Sequence, residues 1–343
     1  MPVYKIKSLP YLIVFLVVLI LIFIPLFLRK GVQDSDFSRT ELLMGTLIEI
    51  RVKGKDKDIL YRALDDAFKE MERLEFVMSH YSDDSEVAKI INRAGIGWVK
   101  VSYDLLEVVE ESIEVSKLSR GAFDITVGVL GKVWSFGEGK EKVPDSSEVE
   151  ALLPLVDYRE IIINREKNEI MLGREGMRIT LGGIGKGYAV ERAMGVLKGY
   201  GIENAIINAG GDIKVVSEEG AKGWRVGVQD PRREGEMIAA FEVSNTSVAT
   251  SGDYQRYFIR DGIRYHHILD AKTGFPATGS QSTTVIARNT GLADALSTAV
   301  FVLGPEKGMA LIERLPDVEG LIVDNKGVVR VSKGLEEKVE IDN

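Results

Sequence analysis

At 343 residues, 45% hydrophobic and 28% charged, the chain has material for one large domain or two small ones and is too apolar to remain disordered. A formal net charge of −8 argues against nucleic-acid binding as a first choice, because a phosphate backbone is met by clustered positive charge. The absence of cysteine removes disulfides, zinc–thiolate sites, iron–sulfur clusters, thiol nucleophiles and a lipoprotein cysteine together, and three histidines leave little for a His-rich metal centre.

Residues 9–28, LPYLIVFLVVLILIFIPLFL, run without a charge for the length of a helix that crosses a bilayer. Lys5 and Lys7 precede the run and Arg29 and Lys30 follow it, so flanking charge leaves its orientation open. A cleaved signal peptide has a shorter apolar run and small residues at its cleavage site, neither of which stands here. We read residues 1–30 as an uncleaved N-terminal transmembrane anchor, 31–40 as a polar linker and 41–343 as one folded domain.

Within that domain, the second half of Glu41–Val52 alternates as a strand does. Asp56–Met78 carries Leu60, Leu64, Ala67, Met71, Leu74 and Met78 on one face and predicts a long amphipathic helix; a second covers Tyr103–Leu118. Strands are expected at Glu160–Ile163, Glu169–Leu172, Ala205–Ile207, Trp224–Val228, Ile238–Val243, Tyr254–Ile259, Arg264–Leu269 and Thr283–Ala287. Helices are expected at Gly187–Tyr200, Leu292–Leu303 and Glu306–Leu315. Mixed strands and helices without regular βαβ alternation indicate a single α+β domain.

Four stretches carry candidate chemistry. TLGGIGKGYA, Thr180–Ala189, follows a strand-like segment and opens a helix, a place where backbone N–H groups meet phosphate. It matches neither the P-loop nor the dinucleotide fingerprint. Lys186 puts a cation at a helix start, where the dipole prefers an anion, which suits a bound anion; glycines serving turn geometry alone are an equal alternative. INAGGDI, Ile207–Ile213, reads as a strand running into a Gly-Gly-Asp turn, its glycines serving backbone geometry first and close approach to a ligand second, with Asp212 a turn residue. YHHILDAKTGFPA, Tyr265–Ala277, sets two adjacent histidines before a polar turn closed by Pro276. In GLADALSTAVF, Asp294 and Thr298 lie one above the other on a helix, two hard oxygen donors suited to Mg²⁺. The competing reading makes Asp294 an N-cap and bonds Thr298 back to a carbonyl.

In chain order, Met44-Gly45-Thr46, HYSDDSEVAKIIN (His80–Asn92), GAFDITVG (Gly121–Gly128), LGGIGKGYAVE, NAGGD, SVATSGDYQRYF (Ser247–Phe258), HHILDAKTG and ADALSTA resemble the ApbE family of FAD:protein FMN transferases. The resemblance implies an α+β, T-fold-like flavin-transferase domain that cleaves FAD between its phosphates. FMN passes to a Thr or Ser hydroxyl of an acceptor flavoprotein and AMP leaves, with Mg²⁺ as cofactor. It implies Asp294, Thr298 and the Gly183 carbonyl as metal ligands, and His267 as the catalytic histidine working with Asp294. It places Met44, Tyr81, Ala122, Phe123, Asp124, Thr180, Lys186 and Ile268 against FAD.

Thr180 stands where the family often has Asp, Ala271 replaces a common Pro, and Ser297 occupies a place where some relatives carry a second acid. The resemblance further implies a membrane-anchored protein with its domain outside the cytoplasmic membrane, and acceptors such as flavin-carrying subunits of ion-pumping electron-transport complexes. A Mg²⁺-dependent FAD pyrophosphatase and a non-catalytic FAD-binding module are the alternatives.

Overall fold

The computed structural model describes residues 35–80 and 82–341, so the expected anchor at 1–30 lies outside the described residues. The chain opens with strands β1 (Ser35–Leu43) and β2 (Thr46–Gly54), then helices α1 (Lys57–Met78) and α2 (Glu86–Asn92), strand β3 (Val99–Lys100) and helix α3 (Tyr103–Leu118). A 3₁₀ stretch (Ile125–Lys132), α4 (Ser146–Leu152), β4 (Ile161–Asn164), β5 (Glu169–Leu172) and α5 (Gly185–Gly199) follow. Next come β6 (Asn204–Ala209), β7 (Asp212–Val216), β8 (Trp224–Gln229), β9 (Met237–Val243), β10 (Ser247–Gly252), β11 (Tyr257–Arg260) and β12 (Ile263–His266). The chain closes with β13 (Ser280–Ala287), α6 (Thr290–Ile312), β14 (Glu319–Asp324), β15 (Val329–Val331) and β16 (Val339–Ile341).

An eight-stranded antiparallel sheet, in the order β1-β2-β6-β7-β10-β13-β14-β15, forms the middle layer. Helices α1, α5 and α6 cover one face, and the small sheet β16-β9-β8 covers part of the other. Successive residues of the central strands feed the two cores alternately, as the period of two requires. Ile213, Val215, Val248, Leu321 and Val323 pack against Val226, Val228 and Phe241 of the small sheet. Val216, Ala249 and Ile322 join the helical core with Ile48, Ile50, Leu64, Met71 and Leu74.

The long amphipathic helices stand where their patterns put them. Asp56 caps α1, its carboxylate accepting the Asp58 and Ile59 amides at 3.0 and 3.1 Å, and the six apolar positions noted above are all buried. Helix α6 combines two expected helices across a break at Gly304 (φ 75°, ψ 177°), followed by Pro305. Among the described residues it is the one helix long and apolar enough to cross a membrane; here it lies in the core against β10, β13 and β14.

Three expectations are corrected. Residues 35–40, read as linker, belong to β1. That strand lies at the sheet edge, and an edge strand can be polar because solvent meets one side of it. Asp36 grips Arg51 on β2 through contacts of 2.7 and 2.5 Å, and Phe37 packs edge-on against Tyr61. The strands expected at Tyr254–Ile259 and Arg264–Leu269 shorten to β11 and β12, because the flanking residues turn into the cleft described next. Strands β7, β10 and β14 are additional: buried on both faces, they lack the polar alternation that marks a half-exposed strand.

Candidate active site

A cleft of about 1750 Å³ opens between the Gly-rich loop, the β6–β7 turn and the segments around His267 and the 3₁₀ stretch. Met44, Ala122, Phe123, Asp124, Thr180, Gly183, Lys186, His267, Ile268, Asp294 and Thr298 all line it, although they come from widely separated parts of the chain. Tyr81, the remaining residue expected there, lies outside the described residues.

The cleft is built around the start of α5. Ile184, at the N-cap, supplies no side-chain bond. Asp294 supplies one from another helix: its Oδ2 accepts the Gly187 amide at 3.1 Å. Glycine is required at 187, because a Cβ there would collide with the Thr290 carbonyl and lie 2.7 Å from Asp294 Cβ. Gly183 also lies close to α6, though less tightly, and a Cβ there would stand 3.1 Å from Thr298 Oγ1. The loop glycines thus bring backbone against the polar pair on α6.

Lys186 adds the charge. Its ammonium is ion-paired to Asp212 and lies 3.8 Å from Asp294 Oδ2. Burial works against that ammonium, but Asp212 and Asp294 outweigh it and raise the Lys186 pKa. Burial, reinforced by the nearby Asp294, pushes Asp212 up to about 7 against the pull of Lys186. Burial also raises Asp294, opposed by Lys186 and the Gly187 amide. Two enclosed carboxylates share one ammonium, an arrangement that a further cation relieves. The anion beside Lys186 is therefore supplied by the protein itself, and Asp212 belongs to the site rather than only to a turn.

Asp294 does not cap its own helix. Asn289 does, accepting the Leu292 amide at 2.9 Å, and Asp294 sits a turn further in with 3% of its surface exposed. The hydroxyl that bonds back along α6 is that of Ser297, 2.8 Å from the Asp294 carbonyl. Thr298 Oγ1 instead lies 3.2 Å from Ser251 Oγ on β10.

The two adjacent histidines divide their roles. His266 is buried, with Nε2 2.8 Å from the Ala277 carbonyl and Nδ1 accepting the Ile268 amide at 3.3 Å. Both nitrogens are satisfied, and the ring serves the fold. His267 lines the cleft, with Nδ1 3.3 Å from the Arg256 carbonyl. A carbonyl only accepts, so Nδ1 carries the proton and the Nε2 lone pair is left as a base. Its enclosure in the cleft wall pushes His267 down to about 4, keeping the ring neutral.

The other expected positions surround this centre. Met44 and Gly45 form the β1–β2 turn with φ of 53° and 71°; a left-handed methionine is uncommon, and the Met44 amide is tied to Glu75 at 2.9 Å. Asp124 already accepts from the Thr126 amide and hydroxyl at 2.8 and 2.6 Å and from the Tyr158 amide at 2.9 Å, so its carboxylate fastens the loop carrying Ala122 and Phe123. Thr180 Oγ1 lies 3.5 Å from His80 Nδ1, which brings His80 to the cleft wall. Ile268 is buried beside His267. With Ala271, the following turn still closes: the Gly274 amide reaches the Asp270 carbonyl at 2.7 Å, and the Phe275 carbonyl accepts the Asp270 amide at 2.8 Å.

Sequence reasoning missed Asp212, Ser251, Arg256 and the aromatic wall of Trp134 and Phe136. The two rings stack 5.5 Å apart, and Trp134 Nε1 donates to the Gly274 carbonyl at 2.8 Å. The Trp-Ser-Phe spacing alone gave a signal, two aromatics on one side of an extended segment.

Solved structures share this architecture. The ApbE protein from Thermotoga maritima superposes with a TM-score of 0.83 at 33% identity, covering 89% of this chain and 99% of that one. The flavin transferase ApbE from Vibrio cholerae superposes with a TM-score of 0.78 at 27% identity, with coverages of 89% and 99%. Fold and cleft together are those of a flavin transferase. The FAD:protein FMN transferase of Treponema pallidum (strain Nichols) is 33% identical over 324 residues, 89% of each chain, and that of Klebsiella pneumoniae (strain 342) is 31% identical over 289. The ApbE family model matches residues 44–322, and the chain belongs to the ApbE family as one of its enzymes.

Proposed function

We propose that this enzyme transfers FMN from FAD to a Thr or Ser hydroxyl of an acceptor protein and releases AMP. The observation that carries the reading is the convergence in one cleft of the Gly183–Lys186 helix start, the Asp294–Thr298 pair and a neutral His267. The names of the relatives from Treponema pallidum and Klebsiella pneumoniae support the same assignment.

The site fits a magnesium ion by its donor chemistry. Among the described residues no cluster of three His, Asp or Glu side chains forms, so the donors are one buried carboxylate, a hydroxyl and a backbone carbonyl. Magnesium takes few protein ligands and prefers oxygen. Asp294, Thr298 and the Gly183 carbonyl would hold it, and it would neutralise diphosphate charge and assist the leaving phosphate.

The chain's own residues do the rest. The Gly-rich helix start binds and orients the diphosphate, and Lys186, held in place by Asp212, meets it with its remaining N–H donors. His267 Nε2 accepts the proton of the acceptor hydroxyl as its oxygen bonds to the FMN phosphorus. The bond from that phosphorus to the bridging oxygen breaks, and the electron pair leaves with AMP. Phe123 and the Trp134–Phe136 wall give the flavin an apolar surface and exclude water, which favours a protein hydroxyl over hydrolysis.

The apolar run at residues 9–28 supports a single-pass anchor in the cytoplasmic membrane, with the domain on the outer side. Flavin-carrying subunits of electron-transport complexes are the acceptors proposed, and protease accessibility of the domain in intact spheroplasts tests its side. Incubating the full chain with FAD, Mg²⁺ and such an acceptor tests the chemistry: fluorescent flavin on the denatured acceptor band, plus AMP, is expected. Free FMN and AMP with an unlabelled acceptor would make the protein a pyrophosphatase instead.

A further inference from the structure

A threonine hydroxyl has one proton and two lone pairs, and the direction of the proton decides what its oxygen offers a cation. Around Thr298 the neighbours fix that direction. Ser297 Oγ is 2.8 Å from the Asp294 carbonyl, which can only accept, so the Ser297 proton is engaged there. Ser251 Oγ is 2.7 Å from Ser297 Oγ; with the Ser297 proton engaged, Ser251 is the donor of that pair. Ser251 Oγ is also 3.2 Å from Thr298 Oγ1, and with its own proton engaged it accepts from Thr298. The protons therefore run in one direction, from Thr298 to Ser251 to Ser297 to the Asp294 carbonyl. Ser297 is fully buried and Ser251 is 7% exposed at the cleft wall, which limits competition from water for these bonds. Thr283 on β13 donates to the Ser297 carbonyl at 2.8 Å and holds the same turn of α6 against the sheet.

We infer that Ser251 and Ser297 are positioning residues whose hydroxyls draw the Thr298 proton away from the cleft and leave the Thr298 lone pairs free for a divalent cation. Ser297 thus acts through Thr298 and not as a ligand itself. Without Ser251, the Thr298 proton loses its acceptor and turns toward the cation. Without Ser297, Ser251 turns its own proton onto Thr298 and occupies a lone pair. The inference rests on the proposed magnesium site, and its test separates the two.

The probe is Mn²⁺, titrated without FAD into the purified full chain and followed by the loss of its free six-line paramagnetic resonance signal. Ser251→Ala and Ser297→Ala are each expected to weaken Mn²⁺ binding about tenfold, the usual effect of removing a partner that orients a ligand. FAD affinity measured without metal stays at the wild-type value. In a Thr298→Val background, Ser251→Ala is expected to cost nothing further, because its effect passes through that hydroxyl; a merely structural loss would repeat in full. Asp294→Asn is expected to abolish binding. Mn²⁺ binding by Asp294→Asn at wild-type strength would sink the magnesium site itself. Loss of binding in Asp294→Asn with wild-type binding in both serine variants, or an undiminished Ser251→Ala effect in the Thr298→Val background, would overturn the relay while leaving the magnesium site standing. Circular dichroism checks folding, and either serine variant that keeps the wild-type spectrum decides the matter.

Discussion

Asp294 on α6 accepts the backbone amide of Gly187 at the start of α5, so one carboxylate both closes a helix end and faces the cleft. The two jobs separate by substitution. Asp294→Asn keeps an acceptor for Gly187 but removes the charge. Transfer of FMN to acceptor is expected to fall at least a hundredfold, with the melting temperature changed by only a few degrees. Quantifying labelled acceptor by in-gel fluorescence beside calorimetry checks this; wild-type labelling would remove Asp294 from the chemistry.

The same contact makes Gly187 a steric test. A methyl group there meets the Thr290 carbonyl and Asp294 Cβ, both part of the packed α5–α6 interface. Gly187→Ala is expected to cost about 1–3 kcal/mol in urea unfolding, the range for overpacking a core, despite alanine's better helix propensity. A gain in stability would mean that the two helices are less closely packed than described.

Substituting the adjacent histidines should produce opposite failures. His267→Ala is expected to lower the rate of FMN transfer by about 10²–10⁴-fold, the usual worth of a positioned base, and to leave FAD affinity within about twofold. His266→Ala strands the Ala277 carbonyl and the Ile268 amide in the interior, and should cost about 1–3 kcal/mol of stability with a smaller loss of rate. Equal rate losses in the two variants would contradict the division of roles.

The acidity of His267 gives the transfer reaction a pH signature. Burial disfavours the imidazolium and pushes the group down to about 4, so the neutral, basic ring persists below its ordinary titration range. The His267-dependent part of the rate, read as the ratio of wild type to His267→Ala on a preformed FAD complex, is expected to hold level from about pH 8 to pH 6 and to fall only as pH approaches about 4, whereas Asp212, pushed up to about 7, titrates in both enzymes. A falling limb centred near 6.5, the ordinary histidine value, would mean that water reaches the ring freely.

Much of the fold was legible wherever one face of an element meets solvent. Asp56–Met78 and Tyr103–Leu118 announce themselves because their apolar faces repeat at the helical period. Strands β7, β10 and β14 did not, since a strand sealed on both sides has no alternation to read, and β1 was disguised by its polar edge position. The site divides likewise. Gly183, Lys186, Asp294 and Thr298 had roles suggested by their residue types and spacing, but Asp212 and Ser251, although their segments were quoted, acquire theirs only because helices pack on the strands β7 and β10 and bring Lys186 and Thr298 to them. Pairings between distant segments leave no local periodic trace.

The helix holding Asp294 has a consequence for how the chain is made. Thr290–Ile312 has a mean hydropathy of 1.3 over its most apolar window, so until the sheet covers it, a nascent chain exposes a long apolar stretch. Asp294 near its start and Glu306 and Lys307 beyond the break at Gly304 put charge in both halves of the segment, which disfavours insertion into lipid. Those three charges together favour its own sheet over lipid as the partner of this stretch during biogenesis.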